Sequence, residues 1–145
     1  MRVYRQMYLF KQPIIKRTIG FEDMKVAIRH PTKYIIINTF EQDVVIKNTV
    51  SAEREESVIN EQLNNYRTID LPIVIYGRNS CDLSVEQKQT QLASLGINGI
   101  YVYVGGLFEW LLLQDVYGVD EFPTVNRIAV DILRHRPKLS TAFCL

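Results

Sequence analysis

The chain has 145 residues, 47% of them hydrophobic and 23% charged, with a formal net charge of +1; this is the profile of one ordinary globular domain with room for a core. Such a balance excludes a general electrostatic drive toward nucleic acid or acidic membranes, no apolar run reaches the roughly 20 residues of a bilayer span, and residues 1–10 lack the apolar block and cleavage site of a secretory signal. Two cysteines, Cys81 and Cys144, are too few for a disulfide framework and no Cys/His spacing gives a zinc site, so no metal or cofactor is expected, and a cytoplasmic, reducing location is.

Leu9 to Ile19 reads as extended, with Pro13 limiting any helix. Gly20 opens a predicted helix over Phe21–His30, with Phe21, Met24, Val26, Ala27 and Ile28 on one face and Pro31 as its stop. Tyr34-Ile-Ile-Ile-Asn38 is the kind of compact β-branched run that suits a strand buried on both faces. Val44-Val-Ile46 is a second short run. Ser51 is placed to cap a helix whose first turn carries Glu53, Glu55 and Glu56, and which turns Val58, Ile59 and Leu63 inward. Leu71 to Tyr76 is the clearest strand, and it runs into the polar loop Gly77-Arg-Asn-Ser-Cys-Asp-Leu-Ser84. A helix over about Val85–Leu95 closes at Gly96. Ile100 to Val104 is another strand, broken by Gly105-Gly106. Leu107 to Val116 is an apolar helix holding the only tryptophan, Trp110. Beyond Glu121 the chain reads as mostly irregular, with a short helix over Asn126–Leu133. No repeat, low-complexity segment or linker interrupts it.

Helix and strand patterns alternate, and parallel strands need helical crossovers, so the fold class is α/β: a parallel sheet with helices on both faces. Ligands of such sheets lie beyond the carboxyl ends of the strands. The Gly77–Ser84 loop stands there, with the amino terminus of the next helix aimed back at it. Backbone N–H groups and a positive dipole end gather at this point, an arrangement suited to an anion or a thiolate.

The stretch from Ile73 through Cys81 to Ser84, the helix ending Leu95-Gly96, and Ile100-Tyr-Val-Tyr-Val-Gly-Gly-Leu-Phe-Glu-Trp110 together resemble rhodanese-like domains. In that family a strand ends in a catalytic cysteine loop, a helix and "LG" follow, and then a strand and a "GG-apolar-x-x-W" signature. Phe21–Ile28 and Tyr34–Asn38 resemble the family's first helix and the strand after it, and Val45–Val50 stands where the family writes a "HIPGA" turn. The resemblance implies a rhodanese-like domain over 19–120, with an N-terminal extension over 1–18 and a C-terminal tail over 121–145. It carries the fold and not the activity. Gly77 stands at the place of the family's cysteine, Cys81 lies four residues further on, Asp82 or Leu83 replaces the loop's closing arginine, and Asn38-Thr39-Phe40 replaces the usual Asp-x-Arg.

Cys81 is the one candidate nucleophile. The helix amino terminus and Arg78 favour its thiolate, whereas the adjacent Asp82 opposes it, and the inert reading is preferred. Gly77, Arg78, Asn79, Ser80, Asp82 and Ser84 are the candidate anion- or substrate-binding residues, with Arg78 suited to an oxyanion. For Arg78 the alternative is a solvated residue or a partner of Asp82, and for Asp82 and Ser84 it is helix capping. His30 reads as a helix-end residue, and His135 as part of a solvated basic cluster with Arg134 and Arg136. Leu111 to Tyr117 is apolar over more of its circumference than a one-sided helix needs, and with Tyr4, Tyr8 and Phe10 it suggests a surface for a protein partner or self-association. The expected function is a non-catalytic binding or structural module, with no nucleic-acid or membrane partner. The look of GGLFEWLLLQDVYG (105–118) suggests a virion-associated protein of a large DNA virus. The alternative is a sulfurtransferase or thiol-redox enzyme using Cys81 as a displaced nucleophile.

Overall fold

Runs of β-branched residues with no polar interruption settle as central strands because both of their faces are covered. In the computed structural model, which describes residues 17–40, 44–64, 71–125 and 131–138, two such runs form the middle of the molecule. Strand β1 is Thr18–Ile19, β2 is Ile35–Asn38, β4 is Ile73–Tyr76 and β5 is Ile100–Tyr103. They make a four-stranded sheet in the order β1-β5-β4-β2, every pair parallel. Ile73 lies opposite Ile35 on one side and Ile100 on the other, and Tyr76 opposite Asn38 and Tyr103, so the three long strands end level. Four helices join them: α1 (Phe21–Arg29), α2 (Ala52–Asn64), α3 (Leu83–Ser94) and α4 (Gly106–Tyr117).

The period of two along the strands divides the core. Ile36, Val74, Tyr76 and Tyr103 pack with Met24, Ala27 and Ile28 of α1 and Leu107, Trp110 and Leu111 of α4. Ile35, Ile37, Ile73, Ile75 and Ile100 pack on the other face with Ile59 of α2 and Leu92 of α3. Two helices therefore cover each face, as the alternating pattern requires. Trp110 is fully buried, stacks edge-on with Tyr103 and Phe122, and donates its indole N–H to the Pro123 carbonyl at 3.1 Å. Its position pins the chain after α4 to the core.

Several elements differ from what the sequence pattern predicts. Val26 lies outward at 41% exposure, because α1 buries only the Met24, Ala27 and Ile28 stripe. Strand β3 (Val45–Ile46) is outside the parallel sheet and pairs antiparallel with β6 (Thr124–Val125), within the stretch expected to be irregular. Two-residue strands carry no periodicity of their own. The short helix expected over Asn126–Leu133 falls mostly outside the described residues, and a single 3₁₀ turn occupies Ile132–His135. Tyr4, Tyr8, Phe10 and Cys144 also lie outside them. In α4 the apolar circumference divides: Leu107 and Leu111 are buried, while Leu112, Val116 and Tyr117 are exposed. No helix among the described residues is long and apolar enough to cross a membrane.

Candidate functional site

The polar loop 77–82 leaves the carboxyl end of β4 at the middle of the sheet's rim, and α3 begins at Leu83. All seven candidate residues, Gly77, Arg78, Asn79, Ser80, Cys81, Asp82 and Ser84, are gathered here. Asp82 is the N-cap of α3 and turns its carboxylate back into the loop. Oδ1 accepts from the Ser84 backbone N–H at 2.9 Å and from the Ser84 hydroxyl at 2.7 Å, while Oδ2 accepts from the Arg78 N–H at 2.8 Å. Burial alone would raise the pKa of this group. The Arg78 N–H, the Ser84 hydroxyl, the Ser84 N–H and the Arg78 guanidinium outweigh burial and hold the carboxyl below the usual carboxylate range. The positive end of α3 is thus complemented by the protein's own anion.

A second helix end is satisfied in the same way. Gly105-Gly106 brings the start of α4 against the loop, and the Leu107 and Phe108 N–H groups donate to the Gly77 and Arg78 carbonyls at 3.0 and 2.9 Å. Gly106 has φ +66°, and a Cβ there would stand 2.6 Å from the Gly77 carbonyl oxygen and 2.9 Å from the Asn79 nitrogen. Only glycine fits so close an approach in the left-handed region. At Gly77 itself a Cβ would meet Val85 Cγ2 at 2.5 Å, Asp82 Oδ2 at 2.8 Å and Asp82 Cβ at 3.0 Å.

Of the remaining loop residues, Ser80 and Cys81 are exposed and Arg78 and Asn79 half-buried. Cys81 is an exposed free thiol; its N–H donates to Asn79 Oδ1 at 2.9 Å, and its sulfur lies 3.9 Å from the Ser80 hydroxyl. Arg78 places its guanidinium 5.7 Å from the centre of the Phe40 ring, within reach of a cation–π contact. No group of His, Cys, Asp and Glu among the described residues could hold a metal ion.

Three contributors to the neighbourhood lie outside the candidate list. Thr39, at the end of β2, shares a 2.7 Å hydrogen bond with Ser84 through the two hydroxyls; its place at the carboxyl end of a neighbouring strand was the available signal. The Tyr76 hydroxyl accepts from the Ile46 N–H at 3.0 Å and lies 2.7 Å from the Thr49 hydroxyl. It thereby ties β4 to the 47–49 turn, where Asn48 takes the left-handed conformation at φ 69°. Burial raises the Tyr76 pKa well above the ordinary phenol value, so the phenol stays protonated. Finally, the segment from Asp131 to Lys138 crosses the loop. Asn79 donates its amide to the carbonyls of His135 and Arg136 at 2.9 and 3.3 Å, and Pro137 and Ser80 line one small depression. His135 is buried at 3% exposure and not part of a solvated cluster. Its separation of 56 residues from Asn79 left no sequence signal.

A cleft of about 1040 Å³ opens beside the loop and not over it. Thr39, Phe40, Thr49, Ser51, Lys88 and Arg134 line it, and no residue from Gly77 to Ser84 does.

No family model matches the sequence, and no curated protein matches it either. Solved structures do match the fold. The BH2092 protein of Bacillus halodurans superposes with a TM-score of 0.52 at 17% identity, over 81% of this chain and 82% of that one. A protein from Lactobacillus plantarum gives 0.52 at 16% identity, over 78% and 94%. The Saccharomyces cerevisiae single-domain sulfurtransferase RDL2 gives 0.52 at 14% identity, over 74% and 98%. The likeness is one of fold, and the parallel α/β architecture expected from the sequence, a rhodanese-like sheet with helices on both faces, is the fold of this chain.

Proposed function

We propose that this chain is a non-catalytic rhodanese-like module that works by binding a protein partner. One observation carries the reading: the space beside Gly77, where the resemblance places the family's cysteine, is taken by the Asp82 carboxylate and the Val85 side chain. A sulfur-carrying loop needs its N–H groups and helix ends free to hold a thiolate or persulfide. Here the Arg78 and Ser84 N–H groups hold Asp82, and the first N–H groups of α4 hold loop carbonyls. The loop therefore serves as a joint between β4, α3 and α4. In this reading the flanking segments, 1–18 and 121–145, and the exposed Leu112, Val116 and Tyr117 of α4 make the partner contacts, in a cytoplasmic or virion-associated assembly.

The second reading, sulfur transfer through Cys81, draws on the exposure of that thiol on the same loop. In it, Cys81, Arg78, Asn79 and Ser80 would handle a sulfane donor outside the cradle. One experiment separates the two: incubation with thiosulfate or a persulfide donor, followed by intact mass measurement of the native chain and Cys81→Ser. The binding module gives no 32 Da adduct that depends on Cys81 (about one sulfur atom, as thiol-to-persulfide conversion requires). A stoichiometric adduct lost in Cys81→Ser, with turnover to an acceptor thiol, would sink it.

A further inference from the structure

The segment Asp131–Lys138 is bound to the loop in a way that ordinary packing does not require. Asn79 spends both sides of its amide there: its carbonyl takes the Cys81 N–H, and its NH₂ holds the His135 and Arg136 carbonyls. Asp131 caps its own turn by accepting from the Leu133 N–H at 3.1 Å, and Ile132 packs on the core beneath. His135 is the buried anchor. Its Nδ1 is sealed from solvent and has no hydrogen-bond partner among the described residues. A neutral imidazole with its proton on Nε2 leaves there only a lone pair, which is tolerable. An imidazolium would put an N–H donor and a charge into the same sealed place, which is costly.

The surroundings make that cost larger. Arg78 from the loop and Arg134 from the segment act against a positive imidazole, and Asp131 alone favours it. The other charges at hand are engaged. Asp82 is held by three loop donors, Glu109 of α4 by the Tyr103 hydroxyl at 2.7 Å, and Arg136 caps its own turn through the Leu133 carbonyl at 2.8 Å.

We propose that His135 is a proton-operated latch: while neutral it holds the 131–138 segment against Asn79 of the loop, and protonation releases the segment and frees Asn79. The proposal rests on the binding-module reading, since the released 131–138 segment belongs to the 121–145 stretch to which that reading gives the partner contacts. The direction of the pKa agrees: burial first, then Arg78 and Arg134, hold it below the ordinary value of 6.5. The unfolded or released segment therefore takes up a proton first as the pH falls, and closure weakens below about pH 6.5.

The test is amide hydrogen exchange of the full chain at pH 7.5 and 5.5, corrected for intrinsic rates, read at residues 131–138 and separately at β4 and β5. Protection of the segment should fall at the lower pH, by at most about tenfold, because a released imidazole is charged about ten to one a unit below 6.5, while the strands stay protected. In His135→Phe the segment should be protected equally at both values, and in Asn79→Ala it should exchange fast at both. Because His135→Phe tests a packed position, the His135 ring is also titrated by NMR in the native chain, assigned with His30→Gln. Its midpoint should lie below 6.5 and return toward it in Asn79→Ala. Unchanged segment protection between the two pH values, or an ordinary midpoint indifferent to Asn79→Ala, overturns the latch. None of these readouts involves a partner or a sulfur donor, so failure of the latch and failure of the binding reading are told apart.

Discussion

Gly77→Ala is the sharpest probe of the loop, because it adds one carbon at the point where the loop's own carboxylate stands. That carbon would lie 2.5 Å from Val85 Cγ2 and 2.8 Å from Asp82 Oδ2, whereas carbon atoms rest roughly 3.5–4.0 Å apart. Val85 can yield by turning about χ1. Asp82 cannot, since it retreats only by giving up its bonds to the Arg78 N–H and to Ser84. Overpacking of this kind costs about 1–3 kcal/mol. We expect about 2 kcal/mol, because charge-assisted hydrogen bonds are among those strained. Asp82→Ala by itself removes an N-cap and should cost roughly 0.5–2 kcal/mol. With both changes the added carbon meets no carboxylate, so the pair should cost less than the sum, with a coupling on the order of 1 kcal/mol. Coupling to Val85→Ala should be smaller. Urea unfolding followed through Trp110, the sole and fully buried tryptophan, measures each corner, with comparison at unchanged m. A neutral Gly77→Ala, or strict additivity with Asp82→Ala, would refute the claim that the carboxylate fills the cradle.

Two further outcomes follow from the same contacts. The Asp82 carboxyl is held below its ordinary value of 3.8, so the unfolded chain takes its proton first on acidification; the stability it supplies is whole above that value and is lost as the pH falls below it toward the folded value. Urea midpoints between pH 6 and 3 should therefore drop more steeply for the native chain than for Asp82→Asn, and parallel curves would contradict this. Gly106→Ala combines a left-handed φ of +66° with a Cβ 2.6 Å from a backbone oxygen. It should cost about 1–3 kcal/mol for the backbone conformation and at least a similar amount for the clash, read as a lowered urea midpoint or loss of the folded chain; a native-like midpoint would show that α4 does not press on the loop.

How far the sequence revealed this molecule depended on the range of the contacts involved. The segment from Ile73 to Trp110 is local: a buried strand, a loop, a capped helix closed by Gly96 at φ +93°, a second strand and a glycine pair. Each piece writes its own signal, and the parallel pairing of β4 with β5 followed. Asp82 and Ser84 were both candidate caps, and Asp82 takes the role. Contacts between distant segments wrote nothing local. The β3–β6 ladder joins residues 45–46 to 124–125, and Asn79 holds carbonyls 56 and 57 residues away. His135 was misread for the same reason, since two flanking arginines suggest solvent and the covering surface comes from elsewhere in the chain. The circumference of α4 was apolar enough to hide which side turned inward; Leu107, Trp110, Leu111 and Gln114 are the buried stripe, with Trp110 stacked on Tyr103 and Phe122.

Gly77 and Asp82 are better understood as two halves of one arrangement. A bare glycine there would leave an empty ring of N–H donors at the end of a helix, and unpaired buried donors are costly. Asp82 supplies the missing negative charge from the far side of the loop, bonded to the Arg78 and Ser84 N–H groups. Held below the usual carboxylate range, this group stays charged at neutral pH and satisfies them from within the loop. With that carboxylate in place, the 131–138 segment lies against the loop through Asn79. Asp82 thus satisfies the amino terminus of α3, the Gly77 and Arg78 carbonyls satisfy that of α4, and both helix starts are closed by the chain's own groups.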